Sequence, residues 1–431
     1  MINFNPNSNQ HVSTLLFGGT LKYKIKEQVG FYKTNGKPKF KNVEKEFKLP
    51  RLVDKSIRTV TSTGRASVGE STLQQIKHKH QDDIKELANI LLEIRFLEKQ
   101  ISTYFNAVEE LVYDFDNCIH GQLSHCGYET GLDKFGGGTS TGRLSSRAPN
   151  LQNFPRDSTS TCKKYFTSRF KDGKIIEVDY KQLELCIFAF LTQDVSLIND
   201  IVNGVDIHAV SAAKVNSIDI SEVTKDQRQA AKGVNFGIIY GAGARKVAKA
   251  AGITEEEAKA YIDSFYDRYP MTKPWQDSLV DQVKLTARYI PKLTPKGQSV
   301  QAGYFKSIIG REYWFETVDT PDFLIDKGIL TSFNPPSIKN YPVQGLATAD
   351  IVLLMVGRLW RNLLNNRDKC LLINTVHDSI ILDCKKEFID FTCNLVKNEL
   401  ELVKEMMKEL FNVQFNVPIT VDIKVADSWG G

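Results

Sequence analysis

The stretch NTVHDSIILD, residues 374–383, reads first as a buried β-strand, because Val376, Ile380, Ile381 and Leu382 supply the β-branched and apolar side chains a sheet favours. His377 and Asp378 stand in the middle of that strand. A bare carboxylate there is costly unless something cationic holds it, so the nature of that cation governs how the rest of the chain is read.

A second acidic strand position lies far upstream. KIIEVDY, 174–180, has the content of a strand, places Asp179 near its end, and is followed by KQLELCIFAFLTQD, which reads as a helix. Neither Asp179 nor Asp378 has a Lys or Arg immediately beside it in sequence. Two carboxylates brought together in a sheet repel unless a divalent cation bridges them. Magnesium, a hard ion that binds through one or two carboxylates plus substrate phosphates, is the natural candidate. Either Asp alone is better read as an ordinary strand end or turn residue, and the segment between them changes the balance.

That segment is RQAAKGVNFGIIYGAG, 228–243. Arg228, Lys232, Phe236 and Tyr240 are spaced by four each and form one slowly drifting stripe on a helix, about 18 Å long. Arg228 and Lys232 can hold a triphosphate, while Phe236 and Tyr240 offer flat surfaces to a sugar and a base. Gly233 and Gly237 weaken the helix by about 1 kcal/mol each, as expected where something approaches its backbone closely. A plain amphipathic helix explains the aromatic half of the stripe but not the cationic half.

The 431 residues, 42% hydrophobic, are enough for two to four subdomains with sizeable cores. The longest apolar run, LCIFAFL at 185–191, is too short to span a bilayer, and MINFNPNSNQ has neither the basic start nor the apolar stretch of a signal peptide. A cytoplasmic location is expected, the host cytoplasm if the source is viral. The seven cysteines form no CxxC pair and suit a reducing compartment. CIHGQLSHC, 118–126, gathers Cys118, His120, His125 and Cys126, but without zinc-module spacing; a turn between two short strands is the better reading.

The net charge of +5 is unevenly spread: between Thr20 and Val60 twelve Lys and Arg face four acids. A phosphate-binding surface or a solvated hairpin face would each account for that excess. LKYKIK and YKTNGKPKFK, with Asn35-Gly36 between basic alternating runs, read as a β-hairpin. From Ser71 the period changes: Ile84, Leu87, Leu91, Ile94, Leu97 and Ile101 predict a long amphipathic helix packed on another element. Residues 134–156 read as an ordered loop region. Residues 225–268 read as mostly helical, with a second start at the capping box Thr254/Glu257, and the tail as strand, a helix from about Glu387 to Leu410, and strand.

In order and spacing, DYKQLEL, RQAAKGVNFGIIYG and VHDSI resemble the three polymerase motifs of family A DNA polymerases. TSTGRLSSRAPNLQNFP and NYPVQGLATADI are similar to that family's primer-template segments, and FNPNSNQHVSTLLFGG to the start of its polymerase region. The resemblance implies an α+β right-hand fold with an antiparallel-sheet palm and largely helical thumb and fingers. Its implied limits are a basic hairpin segment at 1–70, thumb at 71–135, palm at 136–185 and 331–431, and fingers at 186–330. It implies a DNA-directed DNA polymerase using two magnesium ions, with manganese as a substitute, held by Asp179, Asp378 and the carbonyl of Tyr180. Arg228, Lys232, Phe236, Tyr240, Glu184 and Gln182 would then bind the incoming deoxynucleoside triphosphate, with Lys232 protonating the leaving group. Arg143, Asn150, Gln152, Asn340, Gln344 and His377 would contact primer-template DNA. A monomer without membrane contact is implied, and replisome or processivity partners stay open.

Three positions depart from the family pattern. Ser379 stands where Glu is usual, as in the related single-subunit phage RNA polymerases, so an RNA polymerase is the alternative enzyme. Glu184 argues against it, since a bulky acid there would crowd a ribose 2′ hydroxyl. Cys186 replaces a common Arg. Phe236, where some relatives have Tyr, predicts poor acceptance of dideoxynucleotides. A catalytically inactive nucleic-acid-binding relative is the third reading, opposed by the presence of both aspartates and Lys232. The segment before Ser71 is too short for a proofreading exonuclease and carries no Asp-x-Glu motif, so proofreading is not expected of this chain.

Overall fold

The strand Lys174–Tyr180 forms as its β-branched content predicts, and it organises the larger of two units. The computed structural model describes residues 4–31, 36–57, 66–125, 128–130, 133–135, 139–155, 160–320 and 322–431. The chain divides into residues 1–119 and 120–431.

In the larger unit the sheet runs Cys370–Val376, Ser379–Cys384, Lys174–Tyr180, Val421–Ala426, every neighbouring pair antiparallel. Strand alternation turns Ile176, Val178 and Tyr180 into a core shared with Ile380, Leu382, Val396, Leu400 and Met407. The Tyr180 hydroxyl donates to the Leu400 carbonyl at 3.1 Å, so its polar end is satisfied inside that core. Glu177 and Asp179 take the opposite face.

The stretch NTVHDSIILD is not one strand but parts of two. His377 and Asp378 do not stand within one strand; they are the two-residue turn between Cys370–Val376 and Ser379–Cys384. His377 has φ of 58°, a left-handed conformation that His adopts more readily than β-branched residues and that suits a tight hairpin. Asp378 is therefore half-buried at the end of the sheet rather than entombed in its middle.

The helix Leu183–Thr192 follows the central strand as expected. Residues 225–268 resolve into Lys225–Ile239, Ala244–Ala251 and Glu255–Arg268, with reciprocal capping boxes at Thr224/Gln227 and Thr254/Glu257. What approaches Gly237 closely is Val247 of the neighbouring helix: a Cβ on Gly237 would lie 2.7 Å from its Cγ2. A Cβ on Gly233 would meet Ala251 at an ordinary 3.7 Å. The end of Lys225–Ile239 is pinned by fully buried Gln276, whose Nε2 donates to the carbonyls of Ile238 at 2.8 Å and Ile239 at 3.3 Å.

Beside these helices, a three-stranded sheet of Arg288–Leu293, Ser299–Lys306 and Glu312–Glu316 shares a core with Leu279, Val283 and Ile338. The expected helix from Glu387 to Leu410 is broken at Glu401–Leu402 into Ile389–Leu400 and Val403–Phe411. The helical stretch Pro335–Asn366 is long and apolar enough to cross a membrane by length and composition, but 61% of its apolar window is buried inside the protein.

In the smaller unit, helices Asn9–Phe17, Glu70–Lys79 and Asp83–Lys99 enclose Val12, Leu16, Leu73, Ile76, Ala88 and Leu91. The predicted amphipathic helix starts at the Asp82 cap, but the far end of its stripe, Leu97 and Ile101, stays exposed because this unit's core ends near Leu91. The hairpin of Gly19–Phe31 and Pro38–Leu49 forms as read, with Asn35 outside the described residues. Cys118–Ile119 and Gln122–Ser124 are short strands on either side of a brief connection; Cys126 lies outside the described residues. Among the described residues no three His, Cys, Asp or Glu side chains are grouped to hold a metal.

Gly237→Ala should lower stability by about 1–3 kcal/mol through overpacking against Val247. Gly233→Ala should be neutral or stabilising by up to about 1 kcal/mol, from helix propensity. Urea unfolding of the two variants checks the contrast.

Candidate active site

Register brings the two aspartates together. Ser379 is the direct partner of Asp179 across the central strand pair, and the Tyr180 amide donates to the Asp378 carbonyl at 3.3 Å. Partial burial raises the Asp179 carboxyl, and the Asp378 and Glu177 carboxylates raise it further; with the Ser379 hydroxyl and the Lys163 ammonium opposing, it is pushed up to about 6. That repulsion is what a bridging cation would relieve. The donor set, two carboxylates beside the carbonyl of Tyr180, is all oxygen and suits a hard ion.

Sequence reading missed Glu177. It lies two residues before Asp179 and so on the same face, where its Oε1 accepts from the Trp429 indole at 3.4 Å and the Ser379 hydroxyl at 3.5 Å. The strand period alone would have found it.

On the helix Lys225–Ile239 the stripe holds, with Tyr240 one residue past the helix end as its C-cap. Arg228 pairs with Asp206 at 2.6 Å, both partners being exposed by more than a third. Lys232 is exposed and makes no ion pair among the described residues. The Phe236 and Tyr240 rings lie 6.1 Å apart, and His208 is 6.0 Å behind Phe236. The helix's inner face buries Asn235, whose Nδ2 reaches His208 Nδ1 at 3.0 Å and Ser211 Oγ at 3.1 Å. Burial there drops His208 to about 4, so its ring is neutral beside the cationic end of the stripe.

Glu184 joins the parts. It is buried, its Oε2 accepts from the Tyr240 hydroxyl and its Oε1 from the Arg143 guanidinium. Burial raises its carboxyl while these two donors pull it down. Arg143 also donates through Nε to Thr348 Oγ1 at 2.6 Å, and Thr348 donates to the Gln344 carbonyl at 2.8 Å. Thr348 was not singled out in the sequence.

Of the residues read as duplex contacts, Arg143, Gln152 and His377 line one small cavity, and Gln152 Nε2 donates to the Thr375 carbonyl at 3.0 Å. Asn340 and Gln344 share the helix Pro335–Gln344 one turn apart, and Asn340 Oδ1 is buried with no hydrogen-bond partner among the described residues. The side chain of Asn150 instead caps a short turn, accepting from the Gln152 amide at 3.1 Å. Gln182 is exposed at φ 49°, immediately before Leu183–Thr192. Cys186 is buried and its thiol pushed up to about 12 by burial, so it supplies no charge where relatives commonly carry Arg.

Residues 42–431 match DNA polymerase family A. The DNA polymerase I of Caldicellulosiruptor bescii is 29% identical over 79% of this chain and 36% of its own length; that of Geobacillus stearothermophilus is 29% identical over 79% and 35%. The Lactococcus lactis DNA polymerase I is 31% identical over 72% of this chain and 32% of its length. The chain thus spans about a third of the length of these curated relatives. Among solved structures, the POL domain of Pol1 from M. smegmatis, in complex with DNA primer-template and dNTP, has a TM-score of 0.69 at 20% identity. It covers 99% of this chain and 61% of that chain, and so shares the fold.

The raised Asp179 carboxyl has a signed consequence in the metal-free protein. Above about pH 6 its ionised form destabilises the fold, and the penalty fades as pH falls from 6 toward the ordinary value of 3.8. Asp179→Asn should therefore stabilise the metal-free protein at pH 8 by about 1 kcal/mol, after allowance for solvent screening, and not at pH 4. Urea titrations at both pH values with a chelator check this.

Proposed function

The chain belongs to DNA polymerase family A, with the antiparallel-sheet palm and largely helical remainder of that fold, and we propose that it extends a primer 3′ end with deoxynucleotides on a DNA template. The observation that carries the reading is the meeting of Asp179 and Asp378 at one end of the sheet, with the exposed cations of Lys225–Ile239 on the same unit.

Asp179, Asp378 and the carbonyl of Tyr180 would hold magnesium, or manganese in its place. Two such ions, when bound, supply activation of the primer hydroxyl and neutralisation of the pyrophosphate in an in-line displacement. The chain's own side chains do the rest. Arg228 exchanges an exposed ion pair with Asp206, one of low net worth, for the triphosphate. Lys232, exposed and without an ion pair among the described residues, binds the same phosphates and gives its proton to the leaving group. Phe236 presents a face to the nucleotide. Gln182, exposed beside Glu184, lies within the nucleotide's reach in this reading.

Glu184 is held by two donors, so it stands as a fixed wall where a ribose 2′ hydroxyl would go. That favours deoxynucleotides over the RNA-polymerase alternative raised by Ser379. Arg143, Gln152 and His377 surround the primer end, and Asn340 and Gln344 meet minor-groove acceptors common to all base pairs. The subdomain limits given above and the absence of proofreading from this chain belong to the same reading.

Extension of a labelled primer with magnesium tests it. Deoxynucleotides should be incorporated and ribonucleotides refused, with activity abolished in Asp179→Asn and Asp378→Asn. Lys232→Ala should slow incorporation by about 10²–10⁴-fold, the range of a general acid. Glu184→Ala should admit ribonucleotides, and dideoxynucleotides should terminate chains poorly. Ribonucleotide use by the unaltered protein would move the reading to an RNA polymerase, and duplex binding without extension to an inactive relative.

A further inference from the structure

The basic hairpin is absorbed by none of this, and its first strand precedes the residues that match the family. Its register sorts the side chains into two unlike faces. Thr20, Lys22, Lys24, Lys26 and Gln28 face the same way as their partners Lys48, Glu46, Glu44, Asn42 and Phe40. The bulge between Gln28 and Gly30 adds one residue and brings Phe31, opposite Pro38, back onto that face. Every one of these positions is exposed, and nothing among the described residues packs over them.

Two features of this face ask for an occupant. Phe31 and Phe40 are 65% and 52% exposed on adjacent rows, diagonal neighbours across the strand pair, where they contribute to no core. The lysines of the face also outnumber its acids: Lys22, Lys24, Lys26 and Lys48 stand with Glu44 and Glu46, both of which turn to Lys22. Lys22 reaches Glu46 at 2.7 Å and Glu44 at 3.6 Å, while Lys24, Lys26 and Lys48 make no ion pair among the described residues. Rows on one face advance by about 6.8 Å, so an aromatic platform two rows long leads directly to a cationic track.

We propose that this face of the hairpin is a binding site for single-stranded nucleic acid, with Phe31 and Phe40 stacking on bases and Lys26, Lys24 and Lys48 meeting the phosphates. Flat rings at the end of a positive ribbon match the unpaired strand, whose bases expose their faces; a duplex hides them and would use only the lysines. A protein partner is disfavoured by the lack of any continuous apolar stripe on this face.

The test uses the full chain and a fluorescein-labelled oligo-dT, with the polymerase site filled by saturating unlabelled blunt duplex. Fluorescence anisotropy should show Phe31→Ala/Phe40→Ala binding about tenfold more weakly, and Phe31→Trp/Phe40→Trp binding at least as tightly as the parent. Lys24→Glu/Lys26→Glu should bind more weakly and lower the slope of log affinity against log salt by about 1.4, two contacts at roughly 0.7 each. Extension of a short primer-template should be unchanged in all three, which separates this site from the polymerase reading. Unaltered oligo-dT affinity in the alanine variant would overturn the proposal, as would a loss seen equally with labelled duplex.

Discussion

One strand pairing underlies the site: Ser379–Cys384 against Lys174–Tyr180, in the register that sets Ser379 opposite Asp179. Because side chains alternate with period two, a slip of one residue would turn Asp179 into the core and Val178 out of it. The apolar set Ile176, Val178 and Tyr180 makes that slip expensive, so the packing that stabilises the sheet also holds the two carboxylates in mutual repulsion. Stability is stored on one face and electrostatic strain on the other.

A second layer of organisation runs through Glu184. Its two oxygens are claimed by Tyr240, at the end of the cation-bearing helix, and by Arg143, from the loop region far upstream. Arg143 in turn grips Thr348 in the helical segment Gly345–Ile351 that continues Pro335–Gln344. Side chains from two separate segments thus share one buried carboxylate, with Thr348 of a third bracing Arg143, and a buried acid with both oxygens satisfied is positioned more tightly than a solvated one.

Much of this was legible in the sequence, and the parts that were not have physical reasons. KIIEVDY is a strand at the residues read, and the stripe of Arg228, Lys232, Phe236 and Tyr240 shares one helical face because period and capping agree there. The turn at His377–Asp378 escaped notice because both flanks are apolar and strand-like, and a left-handed His carries no Gly or Asn to announce it. The role of Gly237 depends on Val247, a partner across a loop, which composition cannot reveal. The break at Glu401–Leu402 has no Gly or Pro to mark it either. Glu177 was visible by alternation within KIIEVDY but lay outside the motif DYKQLEL.

The grip of Gln276 on the last carbonyls of Lys225–Ile239 gives that helix the mechanics of a lever. Its fulcrum is at Ile238, and Val247, pressed against Gly237, couples the neighbouring helix to the fulcrum end. Arg228 is ten residues away, about 15 Å along the axis. A tilt of roughly ten degrees would hardly disturb Tyr240 and Glu184 yet would swing Arg228 through about 2.6 Å. The Arg228 end can thus travel while the Tyr240 end keeps its place, and the short arm bears the packing load.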